Sequence, residues 1–231
     1  MCYRCFWPKH LCWCPTLVPM DTRTRFLFLM SPMEFKVTKS NTGRLTHLCL
    51  PNSALHMGTA FDQDTAVQTA LNDPQNHCVL LYPGQTAINL SDPAQVPALS
   101  AQLNGRRLVV ILIDATWRGA RKIHRLSPSL RRLPRIKFIP TTPSRYLIKK
   151  QPRPDCLSTL EAVHELLLVL EQAGLDRYHR STQLLEVFQR MQDFQIKCAS
   201  APDRKGYRHL RPRNAALPQP DQAEAPEIIG P

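Results

Sequence analysis

Acidic residues are scarce in this chain, and one stretch nearly lacks them. From Arg106 to Arg153 a single acid, Asp114, faces fourteen lysines and arginines, a segment charge of +13. The whole chain carries +12, so the remainder is close to neutral. A merely solvated basic face is normally interleaved with acids. Concentrated positive charge is instead the footprint of a polyanion, most often nucleic acid. Long apolar runs are also missing. No stretch reaches the ~20 residues of a membrane helix, and Phe26-Leu27-Phe28-Leu29-Met30 is far too short. The N-terminus has no signal-peptide pattern, so a cytoplasmic location without membrane contact is the expectation. Glycine is rare, eight residues against 21 prolines, which predicts stiff connections. No internal repeat is visible, and nothing predicts a protein partner.

The most informative stretch is Leu108 to Trp117. Six consecutive apolar residues, four of them β-branched, read as a strand buried on both faces, the habit of parallel sheets. Asp114, Thr116 and Trp117 follow at once. Ligands of open α/β sheets bind outside the carboxyl ends of the strands, so these three residues stand where a ligand belongs. Asp114 has two readings from the residues alone, helix N-cap or catalytic group. The segment Arg118 to Arg125 could start a helix.

The remaining pattern supports α/β architecture. Strands are expected over 25–30, 78–82 and 135–139. Helices are expected over 62–71, 94–104, 159–173 and 182–197, with a turn or short helix around Asn41-Thr42-Gly43-Arg44. Ser158-Thr159-Leu160-Glu161 is a capping box for the 159–173 helix. Pro83-Gly84 and the segment from Pro140 to Tyr146 follow strands and are candidate ligand loops. Beyond Ala201 the chain is basic and then rich in Pro, Ala and Glu, which reads as a disordered tail.

Four of the eight cysteines lie within the first fourteen residues, as Cys2-x2-Cys5-x6-Cys12-x-Cys14. In a cytosolic chain such clustering favours a metal, and four thiolates make a closed structural zinc site. A reactive or redox pair is the competing reading. His10 is expected to be exposed. Cys49, Cys78, Cys156 and Cys198 are expected to act as small buried hydrophobes. Three parts follow: a Cys-rich segment 1–20, a main α/β domain 21–200 and a tail 201–231.

Six motifs stand in one order: the cysteine cluster with Pro8, Asn41-Thr42-Gly43-Arg44-Leu45, Leu80-Leu81-Tyr82-Pro83-Gly84, Asp114-Ala115-Thr116-Trp117 with Ala120-Arg121, Pro143-Ser144-Arg145-Tyr146, and Leu157-Ser158-Thr159-Leu160-Glu161-Ala162. Together they resemble the DTW-domain family over about residues 1 to 197. The resemblance implies a SPOUT-like, trefoil-knotted, S-adenosylmethionine-binding α/β domain with a helical C-terminal part. It implies transfer of the 3-amino-3-carboxypropyl group of S-adenosylmethionine to N3 of a uridine in tRNA, with 5′-methylthioadenosine as the other product. Asp114, Thr116 and Trp117 become the candidate catalytic residues. Tyr82, Pro83, Gly84, Ser144, Tyr146, Leu157, Ser158, Thr159 and Glu161 become candidates for the cofactor. Arg44, Arg118, Arg121, Lys122, Arg131, Arg132 and Arg145 become candidates for tRNA. Asp114 could take the N3 proton or hold the cofactor's amino group or sulfonium. Trp117 could stack on a base, face the sulfonium or simply pack. A SPOUT-like RNA methyltransferase and a non-catalytic zinc-containing RNA-binding protein are the alternatives.

Overall fold

The computed structural model describes residues 1–36, 38, 41–148 and 156–200. Lys149, Lys150 and Arg153 of the basic segment, and the whole tail 201–231, lie outside the described residues. Six strands build one sheet: β1 (Arg25–Met30), β2 (Ser53–Met57), β3 (Asn76–Leu81), β4 (Ile88–Asn89), β5 (Arg107–Asp114) and β6 (Arg135–Lys137). Their order is β2-β1-β5-β3-β6-β4, and every pairing is parallel. The fold is therefore α/β, as the apolar run of β5 implied.

β5 sits inside the sheet, with β1 on one side and β3 on the other. Its side chains alternate between two cores. Val110 and Leu112 join Phe26 and Phe28 on one face, while Val109 and Ile111 join Leu27 and Leu29 on the other. Burial on both faces explains why no polar residue interrupts the strand. Each such side chain contributes roughly 1.5–3 kcal/mol of burial free energy.

Helices cover both faces. The first face receives α2 (Thr42–Cys49), α4 (Val96–Leu103), α7 (Thr159–Gln172) and α8 (Gln183–Ala199). The second receives α3 (Thr65–Asn72), α5 (Trp117–Leu126) and α6 (Pro128–Arg131). A short α1 (Pro32–Lys36) follows β1. The chain before β1 forms two 3-10 turns and packs on α8, where Trp7 and Trp13 meet Phe194 edge-on with centroids 5.3 and 6.2 Å away. Asn104 at φ 43° and Gly105 at φ 76° stop α4 in the left-handed region.

Four elements, α1, β2, β4 and α6, have no counterpart in the sequence reading. β2 is half-buried without alternation, and β4 and α6 are only two and four residues long. Such segments carry too few residues to show a period.

Candidate active site

The carboxyl ends of β3, β5 and β6 open onto one cavity of about 300 Å³. Its apolar wall includes Leu81, Leu112, Ile136 and Phe138. Trp117 stands at its edge, 46% exposed, as the first residue of α5. Leu157, Thr159 and Ala162 bring the start of α7 against it. Size and lining suit a small organic ligand. Of the cofactor candidates, Tyr82, Pro83, Leu157 and Thr159 line this cavity. Pro140, of the expected ligand loop, lines it too, as do Lys137, Phe138 and Cys156, which were not foreseen as site residues. The expected strand 135–139 could have pointed to Lys137 and Phe138, because they end it.

Asp114 lies one layer behind the wall. It is 6% exposed, and both carboxylate oxygens are engaged. Oδ2 accepts from Asn41 Nδ2 at 2.9 Å, and Oδ1 accepts from Thr159 Oγ1 at 2.7 Å. Asn41 caps α2 by accepting from the Arg44 amide at 2.7 Å, so its side chain serves helix and carboxylate together. Asp114 thus ties β5 to the first turns of α2 and α7. Asp114 is not the helix cap that its place after β5 allowed. That cap is Thr116, whose hydroxyl accepts from the Gly119 amide at 3.1 Å. Thr116 is exposed and outside the cavity lining.

Glu161 and Ser158 form the expected capping box. Glu161 also accepts from Ser144 Oγ at 2.9 Å and from the Arg145 amide at 2.6 Å. A buried carboxylate with this many protein donors is a clamp: it fixes the loop after β6 to α7. Ser144, Tyr146, Ser158 and Glu161 therefore stand behind the cavity rather than in its lining. Gly84 lies beside it, with its carbonyl 3.5 Å from Lys137 Nζ.

The Tyr82 ring stacks on His124 of α5, centroids 4.7 Å apart and 5° from parallel. Arg135 lies 5.8 Å from the Tyr82 centroid on the same cluster. Burial, then Arg135 and Arg131, push the His124 pKa below its ordinary value.

Arg118, Arg121, Lys122 and Arg125 are exposed at i, i+3, i+4 and i+7 of α5, while Ala120 and Ile123 face the core. Like charges at these spacings destabilise a helix by about 0.2–0.5 kcal/mol per pair. The helix holds no acid to offset them. Arg131 and Arg132 extend the exposed stripe, and Arg145 is exposed beyond β6. The His56–Asp64 pair, at 3.7 Å, involves none of these basic residues. Arg44 departs from expectation. It is 4% exposed, its guanidinium carbon lies 4.5 Å from the Phe6 centroid and 4.8 Å from that of Phe35, and Nη2 donates to the Phe35 carbonyl. A guanidinium held this way is not a surface phosphate contact.

The four N-terminal thiols converge, with all Sγ atoms within 4.8 Å of one another. Cys2 and Cys14 are 3.8 Å apart, and Cys5 and Cys12 are 3.7 Å apart. Tetrahedral Zn–S bonds of about 2.3 Å place sulfurs about 3.8 Å apart, so the cluster fits a zinc ion. Backbone N–H groups of Cys5 and Arg4 lower the Cys2 pKa to about 6, while burial and the neighbouring thiols push Cys14 up to about 12. His10 is exposed, as expected. Cys49, Cys78 and Cys156 are buried, whereas Cys198, near the end of α8, is only half-buried.

The DTW domain profile matches residues 1–196. A Drosophila melanogaster protein named tRNA-uridine aminocarboxypropyltransferase 2 is 32% identical over 177 residues, covering 74% of this chain and 66% of the relative. A Mus musculus protein of the same name is 31% identical over 207 residues, covering 85% of this chain and 65% of the relative. The chain thus spans just under two thirds of the length of these curated relatives. No solved structure matches the chain.

Proposed function

The chain belongs to the DTW-domain family, and from that membership we propose that it is a tRNA-uridine aminocarboxypropyltransferase. It moves the 3-amino-3-carboxypropyl group of S-adenosylmethionine to N3 of a tRNA uridine and releases 5′-methylthioadenosine. One observation carries the reading. Motif residues far apart in sequence, Asn41, Tyr82, Asp114, Trp117 and Thr159, gather at the carboxyl edge of the sheet around a single cavity. That edge is where parallel α/β sheets bind ligands, and the SPOUT-like relationship is part of the same proposal.

S-adenosylmethionine supplies a carbon already activated by a sulfonium. The chain's residues must then bind, orient and manage one proton. The apolar wall takes the adenosyl and methylthio parts, and Lys137 pairs with the amino-acid carboxylate. Trp117, at the mouth, presents its ring to the uracil or the sulfonium. Thr159 spends its proton on Asp114, which leaves oxygen lone pairs facing the cavity. N3 forms the new N–C bond as the C–S pair returns to sulfur. The N3 proton passes to Thr159 Oγ1 while the Thr159 proton passes to Asp114 Oδ1. In this arrangement Asp114 acts through Thr159. The basic stripe of α5 and α6 carries the tRNA backbone, and zinc in the cysteine cluster anchors the N-terminal segment to α8.

Nucleoside mass spectrometry of unmodified tRNA incubated with the protein and S-adenosylmethionine tests the reading. A uridine heavier by an aminocarboxypropyl group is expected. A methyl increment would make the protein a methyltransferase, and no increment would leave it a binding protein.

A further inference from the structure

A second concavity, of about 460 Å³, lies between the Cys-rich segment and α2. Tyr3, Arg4 and Phe6 line it from the segment, Phe35 from α1, and Arg44 and His47 from α2. Nothing in the chemistry above uses it. Its lining holds cations and aromatic rings and no acid.

The residues behind it are held in place at some cost. Phe6 takes φ 60°, a left-handed conformation that non-glycine residues rarely adopt, and its ring lies against the Arg44 guanidinium. Arg44 Nε is buried and has no hydrogen-bond partner among the described residues. Buried donors without partners are rare and call for an explanation. The Arg44 guanidinium is thus a fixed, largely desolvated cation in a lining that holds no acid, with Asp114 and Cys5 acting on it from behind the groove.

His47 adds an acceptor. The Ser53 hydroxyl donates to the Leu50 carbonyl at 2.6 Å, so its oxygen accepts from His47 Nδ1–H at 2.7 Å. That fixes the neutral tautomer with a bare Nε2, able to accept from a base N–H or a ribose hydroxyl. Tyr3, 89% exposed, offers a free ring face, and Arg4 is exposed beside it. Stacking platform, cation and polar edge reader are the parts of a single-stranded nucleotide site.

Position supports the same ligand. α2 and α5 cover opposite faces of the sheet, and the cavity opens at the carboxyl edge between them. Phe35 and the first turn of α2 lie at that edge, since β1 ends just before α1. The groove thus begins at the same sheet edge as the cavity and runs along α2.

We propose that the groove between the Cys-rich segment and α2 binds one unpaired nucleotide of the RNA substrate, its base stacked on Tyr3 and its phosphate met by Arg4. The proposal rests on the tRNA reading above. The test is equilibrium binding of unmodified tRNA to the full zinc-containing chain and its Tyr3→Ala, Tyr3→Phe and Arg4→Ala variants. Both positions are exposed, so the fold tolerates the changes. Tyr3→Ala should weaken tRNA binding about ten-fold, and Tyr3→Phe should restore it. Arg4→Ala should lower the salt slope by about one. S-adenosylmethionine affinity, measured by calorimetry, should stay constant throughout. Wild-type binding left unchanged by Tyr3→Ala overturns this inference alone. A wild-type chain that binds no tRNA overturns it together with the substrate reading.

Discussion

Gly43 stands so close to Asp114 that a Cβ on it would lie 2.4 Å from Oδ2 and 2.7 Å from the carboxyl carbon. The glycine is needed for space, since its backbone is ordinary helix. Asp114 cannot retreat without breaking its bonds to Asn41 and Thr159. Gly43→Ala should therefore destabilise the fold by about 1–3 kcal/mol by overpacking and also weaken S-adenosylmethionine binding. Thermal denaturation and calorimetry check both. Normal stability with normal cofactor affinity would show that the carboxylate can move freely.

The sequence was most legible where one residue's neighbours in the chain decide its state. β5 announced itself by its apolar run, and Ser158 and Glu161 by their capping spacing. It was least legible where partners come from afar. Asn41 meets Asp114 across 73 residues, and Thr159 does so across 45. Nothing local says that Asp114 is tied to two helix starts rather than capping one. Arg44 looked like a surface cation because the aromatic rings that enclose it belong to separate segments. The two cavities are likewise products of packing, although the motif residues at their edges could be read in order.

Metal removal should loosen the N-terminal segment. The thiols are spaced for zinc, and the segment's Trp7 and Trp13 pack on Phe194 of α8. Metal binding that holds a fold contributes to its stability. Freshly purified, reduced protein should contain stoichiometric zinc. A chelator should lower the melting temperature and change tryptophan fluorescence. Absence of zinc by elemental analysis would remove the structural-metal reading.

Acid should destabilise the protein well before carboxylates titrate. His47, His77, His124 and His164 all have pKa values lowered, in each case first by burial. The fold therefore favours their neutral forms. Their contribution is complete above the ordinary histidine value of about 6.5 and is lost as pH falls through the depressed folded values. Melting temperature should drop between about pH 7 and pH 5 at constant zinc content. His124→Gln should flatten part of that drop, because a charged His124 meets Arg135 and Arg131. A profile flat over this range would contradict the assignment.

Binding of tRNA should weaken steeply with salt. Each neutralised phosphate contact adds about one to the slope of log affinity against log salt. Arg121 and Lys122 lie on the exposed α5 stripe, which has no acid partner among the described residues. The double variant Arg121→Ala/Lys122→Ala should lower the slope by about two and leave thermal stability nearly unchanged. A slope equal to that of the wild type would move the RNA off α5.

Asp114 and Thr159 supply the sharpest test of the chemistry. If Asp114 takes the N3 proton through Thr159, Asp114→Asn should lower single-turnover transfer by about 10²–10⁴-fold. Asparagine keeps the shape of the side chain, but its amide NH2 presents a donor to Asn41 or Thr159, both of which already donate there. A second variant separates proton transfer from this clash. Thr159→Val keeps the volume, leaves the Asn41 bond to Asp114 in place and removes the hydroxyl between Asp114 and the cavity. The proton route predicts that Thr159→Val is as slow as Asp114→Asn, while cofactor affinity falls much less in Thr159→Val. A pH–rate profile adds a readout that a structural role would not move, because raising pH should partly restore Thr159→Val as N3 ionises unaided. A fully active Thr159→Val enzyme would end the proton route. Asp114 would then be the residue that positions α2 and α7 around the cavity, and its effect on rate would have to appear as lost S-adenosylmethionine binding.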